Sequence, residues 1–189
     1  TEIKSGPHSG ATQYTLTLPN APPSTSGQAL TATTAGVASW SGNSPSFQAR
    51  NTTAQGSLSS NVYTKVQYNT EDWDPDSVYD HSTNYRFTVP AGGAGKYQLY
   101  SQIYCMSTGQ GNMQQTKMFF YLNGSASNYG NINDMRSGRE FTKNVWCSAI
   151  MNLSANDYIE VYCAIETATG TWEIDNNRGY FSGYKLIGI

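Results

Sequence analysis

Charge is scarce in this sequence: Lys, Arg, Asp and Glu make up 13% of 189 residues, and the formal net charge is −2. Typical soluble domains carry about 25% charged residues. No run of Lys or Arg occurs, so capture of nucleic acid or of an anionic membrane by a basic surface is excluded. Histidine is nearly absent, with His8 and His81 alone, and no G-x-S-x-G elbow, H-E-x-x-H or C-x-x-C box is present. That inventory leaves the usual nucleophilic and metal-hydrolytic chemistries without their residues, and the chain is expected not to be an enzyme. Long apolar runs are missing too, so no segment as written is expected to insert in a membrane. The chain opens on "TEIKSGPHSG" without Met, as a fragment or processed product would.

Cysteine is limited to Cys105, Cys147 and Cys163, each inside an alternating apolar run. An odd count in such surroundings reads as small buried hydrophobes, with one disulfide between two of the three as the alternative. What the chain has in plenty is aromatic residues, 13% with 14 Tyr, set in a period of two. "VYTKVQY" (62–68), "YRFTV" (85–89), "KYQLYSQIYCM" (96–106), "KMFFYL" (117–122), "FTKNVWCSAIM" (141–151), "YIEVYCAI" (158–165) and "YFSGYKLI" (180–187) all alternate, separated by Gly, Asn, Asp, Ser and Pro. This rhythm predicts an all-β antiparallel sandwich of the jelly-roll kind over residues 45–189. Asn123-Gly124 between apolar runs predicts a tight hairpin turn, and Asn156-Asp157 a second turn.

Strand 96–106 is apolar or aromatic in both phases: Tyr97, Leu99, Ile103 and Cys105 in one, Tyr100, Tyr104 and Met106 in the other. One sandwich has one interior, so a second greasy face needs a partner. Tyr100, Tyr104, Tyr158, Tyr162 and Tyr184 are therefore the candidate residues of an interface between copies of the chain, expected to be a homotrimer.

Residues 1–44 lack the strand rhythm apart from "YTLTL". They read as an extended arm, with a boundary near 42–45; its sparse apolar residues, Leu16, Leu18, Leu30, Val37 and Trp40, cannot close a core in one chain. Three copies wound together can.

Five acids, Glu71, Asp72, Asp74, Asp76 and Asp80, crowd "EDWDPDSVYDH". Calcium held by Asp72, Asp74 and Asp76 is one expectation, and a solvated acidic turn begun by Asp74-Pro75 is the other; the spacing is not that of an EF-hand, because Ser77 and Thr83 stand where Gly and Glu belong. Recognition residues are expected in loops displayed by a rigid sandwich, and Trp73, Tyr79, Trp172 and Arg178 are the candidates; for Trp73 and Trp172 the alternative is a ring packed back on the sandwich instead of an exposed stacking platform for a sugar.

The order of motifs resembles the globular head of complement component one, subcomponent q, among the tumour-necrosis-factor-like jelly rolls. The resemblance runs through Phe47-Gln48-Ala49, then Tyr68-Asn69, then Phe87-Thr88-Val89-Pro90 with Gly95-Lys96-Tyr97-Gln98-Leu99. It continues through Leu153 and Asn156-Asp157-Tyr158-Ile159-Glu160-Val161 to Phe181-Ser182-Gly183-Tyr184-Lys185-Leu186, covering residues 45–189. The link from Pro90 to Gly95 is longer than the family's turn, and Leu99, Asn156 and Lys185 depart from its usual residues. What the resemblance implies is a head that packs three copies around an axis.

In place of the collagen-like stem of complement heads stands "LTLPNAPPSTSGQALTATTAGVASW", similar to segments of bacteriophage and other viral fibre proteins through Leu18, Pro19, Gly27, Gln28, Leu30, Thr31, Gly36, Ser39 and Trp40. Together these resemblances imply a virion protein, a fibre, spike or head-fibre tip, exposed outside the cell. Its arm would join other virion proteins, and its trimeric knob would bind a host surface glycan or protein. The competing expectations are an architectural virion or capsid decoration protein without a receptor, and a secreted complement-q-like recognition module.

Overall fold

A computed structural model describes residues 1–4, 15–24, 28–42 and 44–187. His8 and the Gly27 position of the fibre-like pattern lie outside the described residues. Two compact units are present, one of Pro45–Lys185 and one of Thr1–Ser44 with Leu186–Ile189.

The smaller unit holds β1 (Glu2–Lys4), β2 (Thr15–Thr17), β3 (Ala29–Ala32) and β4 (Ala38–Ser41). Here β1 pairs with β2 and β3 with β4, both antiparallel, with Thr17 bridged to Val37 in parallel. One short strand was the expectation from sequence, and four form. Their alternation escapes notice because Thr, Ser and Ala occupy most positions, and polar links fasten them: Thr31 Oγ1 lies 2.8 Å from Ser41 Oγ, and the Trp40 indole donates to Ala21 O at 2.8 Å.

The larger unit is wholly β among the described residues. Its strands are β5 (Ser46–Arg50), β6 (Gln55–Ser59), β7 (Thr64–Lys65), β8 (Thr70–Trp73), β9 (Tyr79–Asp80), β10 (Arg86–Thr88), β11 (Gly95–Ser107), β12 (Met113–Leu122), β13 (Ser125–Asp134), β14 (Thr142–Leu153), β15 (Tyr158–Thr167), β16 (Thr171–Ile174) and β17 (Tyr180–Lys185). One sheet runs β6-β16-β11-β17-β5-β8, with β14 on β11; the other runs β13-β12-β15-β10-β9, with β7 on β15. We call them the β11 sheet and the β15 sheet. Every pairing is antiparallel.

The inward phases of both sheets fill one core. Phe47 from β5 stacks on Phe87 at 4.9 Å and on Tyr79 at 5.2 Å, and Phe181 meets it edge-on at 4.9 Å. Such ring pairs are each worth about 0.5–1.5 kcal/mol beyond their buried area. Gly183 makes this cluster possible: a Cβ there would lie 2.7 Å from Leu99 Cδ2 and 2.9 Å from Phe47 Cε1. Polar atoms in the core are mostly satisfied, as with Tyr68, whose hydroxyl lies 2.6 Å from Ser101 Oγ. All three cysteines are buried, as the sequence predicts, and all three are free, which answers the open alternative of one disulfide. Asn123 and Gly124 take φ of 52° and 78° and carry β12 straight into β13, the tight turn expected there.

Candidate functional site

The acidic stretch 71–80 is divided between two strands and the turn that joins them. Thr70–Trp73 is β8, at the margin of the β11 sheet beside β5. Asp72 is used there: its carboxylate receives Arg50 Nε at 2.9 Å and the Gln48 amide at 2.9 Å. Asp74 accepts the Tyr79 backbone N–H at 2.7 Å, closing the turn. Asp80 accepts backbone N–H bonds from Ser82, Thr83 and Asn84 and one from the Asn84 side chain. Desolvation alone would raise its pKa, but those four bonds together hold the carboxyl well below the usual carboxylate range. Glu71 faces His81 Nδ1 at 2.6 Å. Among the described residues no three His, Cys, Asp or Glu side chains converge as a metal-holding group. Asp72, Asp74 and Asp76 are thus not brought together as the calcium expectation requires: Asp72 is spent on Arg50, and Asp74 on its own turn.

The four recognition candidates separate. Trp172 lies on β16 and is fully buried, its indole donating to Ser59 O at 3.0 Å. Tyr79 is also buried, stacked in the Phe47 cluster. Neither offers a ring face to a ligand, and both are corrected from loop contacts to core residues. Trp172 and Ile174 share the inward phase of a four-residue strand, too short for alternation to stand out among Gly and Asn. Trp73 is 48% exposed at the end of β8. Arg178 is exposed, with its guanidinium carbon 4.7 Å from the centre of the Tyr104 ring and Nε 3.5 Å from Asp175.

The five tyrosines of the expected interface fall on two different sheets. Tyr100, Tyr104 and Tyr184 stand on the outward face of the β11 sheet, in the phase opposite to buried Leu99, Ile103 and Gly183. Register completes that face. Tyr100 is opposite Ser148 and Ser182, Gln102 is opposite Trp146 and Tyr180, and Gln98 is opposite Ile150 and Tyr184. Trp146 and Ile150 are 49% and 52% exposed, and Tyr100 stacks on Tyr180 at 5.3 Å. Burial, and then the Tyr180 ring beside it, pushes the Tyr100 phenol above its ordinary pKa, so it stays an O–H donor, here to Gln102 Oε1 at 2.9 Å. Trp146 and Ile150 were missed from sequence; the signal was the second phase of "NVWCSAIM", which alternates as clearly as the first.

Tyr158 and Tyr162 stand on β15, on the outward face of the other sheet, and their own chain partly covers them. Arg86 lies 4.2 Å from the centre of the Tyr158 ring, and Tyr162 stacks on Tyr121 at 4.0 Å. They do not join Tyr100, Tyr104 and Tyr184 in one surface.

No protein-family model matches the sequence, and no curated protein matches it. Solved structures do. Murine APRIL is similar with a TM-score of 0.52 at 12% identity, over 75% of this chain and 98% of that one. The globular domain of zebrafish complement 1qA gives 0.47 at 13% identity, over 75% and 97%. Eiger TNF from S. frugiperda gives 0.49 at 12%, over 76% and 93%. The fold assignment rests on the APRIL likeness and the two antiparallel sheets: the larger unit is a jelly-roll sandwich with the fold of APRIL. Among the described residues no helix is long and apolar enough to cross a membrane.

Proposed function

We propose that this chain is the knob of a virion fibre or spike, a homotrimer closed through the outward face of the β11 sheet, which presents a recognition surface to a host cell. The observation that carries the reading is that face: Tyr100, Tyr104, Trp146, Ile150, Tyr180 and Tyr184 share it, and Trp146, Ile150 and Tyr184 are exposed on it. A sheet with one face on a core is expected to be polar on the other. A ring of three uses two unlike patches on each chain. The margins of the face are unlike: Arg50 and Asp72 pair along β5 and β8, while Trp146 and Ile150 project from β14. Three such contacts bury on the order of 2,000 Å² or more in total, the range of permanent assemblies.

The virion assignment is carried by residues 1–44, whose Leu-Pro, Gly-Gln-x-Leu-Thr and Gly-x-x-Ser-Trp pattern serves as the connector to other virion proteins. Trp73 and Arg178, both exposed, remain loop and margin candidates for contact with the host. The test is twofold. Light scattering of the intact chain gives the assembly mass, and adsorption of the purified protein to host cells is compared with that of the Trp73→Ala, Arg178→Ala double variant. A trimer with weakened adsorption supports an attachment knob; a trimer that adsorbs nowhere is an architectural virion protein.

A further inference from the structure

The β15 sheet carries a second aromatic surface that the trimer does not use. On its outward side Phe119 of β12 is in register with Tyr162 of β15 and with Gly130 of β13, and Tyr121 is in register with Glu160. Tyr63, from the segment leading into β7, closes the group: its ring lies 6.1 Å from Phe119 and 6.4 Å from Tyr121, and it is 41% exposed. The group forms an angled shelf, with the Tyr63 ring at 69° to Phe119 and at 54° to Tyr121. A Cβ at residue 130 would lie 2.2 Å from Phe119 Cδ1, so the missing side chain of Gly130 is what lets the Phe119 ring lie down over the edge strand. Tyr121 and Tyr162 stack at 4.0 Å beside it.

Fixed polar groups border the shelf. Lys65 Nζ lies 5.9 Å from the centre of the Tyr162 ring and 2.5 Å from Glu160 Oε1, and Lys117 Nζ donates to Asn61 Oδ1 at 2.7 Å. Glu160 is buried although it points outward, which pins Lys65 in place. Burial pushes the Tyr63 and Tyr121 phenols above their ordinary pKa, so both remain hydrogen-bond donors well above neutral pH.

These features select the class of occupant. Rings with hydrogen-bond donors and acceptors around them match a pyranose, whose C–H faces stack on aromatics while its hydroxyls reach charged and amide groups. Charge is nearly balanced, which favours a neutral chain over an anionic polymer: Glu160 neutralises Lys65, Asp80 stands opposite Arg86 in register, and Lys117 on the border donates to the neutral amide of Asn61. Area argues against a second protein. Four half-covered rings offer on the order of 300–500 Å², below the roughly 800 Å² that each partner gives a stable protein interface.

We propose that the outward face of the β15 sheet, at Tyr63, Phe119, Tyr121 and the Lys65–Glu160 pair, is a binding site for a neutral pyranose saccharide chain. It names the ligand class for the attachment reading above and rests on it, since a trimer closed through the β11 sheet turns this face to solvent. The site lies on strands and one segment beside them, not in the loops where the sequence predicts recognition.

The experiment is binding of the intact chain to an array of immobilised neutral and acidic oligosaccharides of microbial and animal type, four or more sugars long. It is followed by titration in solution with the best neutral member. Expected are retention of neutral members, and at least tenfold weaker binding for Tyr63→Ala and Tyr121→Ala, with far-UV spectra unchanged. A Tyr63→Phe variant should keep the stacking and lose severalfold less. No retained neutral member, retention of acidic members alone, or binding unaffected by both alanine variants would overturn the site. Mass is read on the same samples. A trimer without saccharide binding removes this inference and leaves the knob; saccharide binding through Tyr63 by a monomer does the reverse.

Discussion

The outward faces of the β11 and β15 sheets are both aromatic, and they treat their rings differently. On the β11 sheet Trp146, Ile150 and Tyr184 are about half exposed, with Gln and Ser between them, while Tyr100 rests on Tyr180, Tyr104 lies under Arg178, and the Arg50–Asp72 pair stands at a margin. On the β15 sheet the rings are tied to one another and to fixed charges: Tyr121 on Tyr162, Arg86 on Tyr158, Lys65 on Glu160. Loose apolar side chains suit a surface finished by another protein, because burial is what fixes their rotamers. Rings already fixed within one chain suit a surface that meets a small ligand, because little ordering is left to do on binding. On the proposed reading the same residue type serves two ends, and its neighbours decide which.

The comparison breaks most visibly under charge. Trp146→Asp should place an unpaired carboxylate in the closed β11 face and dissociate the assembly, whereas Ile132→Asp, equally exposed on β13 of the other sheet, should leave the mass unchanged. Light scattering at matched concentration reads both, and loss of the assembly in both would show that the two faces are not distinct.

Ion pairs sharpen the contrast next. Lys65→Met strands a buried Glu160 and should cost about 2–3 kcal/mol, below the roughly 3–5 for a fully buried pair because Lys65 is itself part exposed. Arg50→Met breaks the more exposed pair with Asp72 and should cost under about 1 kcal/mol. Urea unfolding of the two variants, on the same dissociated background, measures the difference.

Gly130→Ala comes third. The added methyl meets Phe119 and, at 2.5 Å, the Met118 carbonyl, so about 1–3 kcal/mol of stability should go, and the Phe119 ring should lift from the shelf. Ring-proton shifts of Phe119 and Tyr63 would report the displacement.

The smallest effect is acid stability. The Asp80 carboxyl is held below its ordinary range in the folded chain, so its contribution is full above about pH 4. As pH falls below that, the unfolded chain binds the proton first and the contribution is lost. Asp80→Asn should flatten the acid limb of a stability-against-pH curve and leave its neutral part little changed in slope.

Alternation made the long strands legible. In β11 the sequence placed Leu99 and Ile103 inward with Tyr100 and Tyr104 outward, and the hairpin at Asn123-Gly124 needed only its two residues. What escaped was held by partners far along the chain. The β8 segment "TEDW" has no apolar phase and is a strand because β5 supplies its ladder and Arg50 and Gln48 its carboxylate contacts. The β13 segment "SASNYGNIND" is an edge strand exposed in both phases, so no period marks it. The β15 face was misread for the same reason. Tyr158 and Tyr162 look unpartnered in sequence, and only the fold brings Arg86 and Tyr121 onto them. Trp172 read as a loop residue because its strand is four residues long.

The outward aromatic face of the β11 sheet is expected to be closed by other copies of this chain. Light scattering of the intact, unmodified chain tests this most directly. The expected mass is about three times 20.6 kDa, falling to 20.6 kDa for Trp146→Asp, and a mass of 20.6 kDa for the unmodified chain would contradict the trimer.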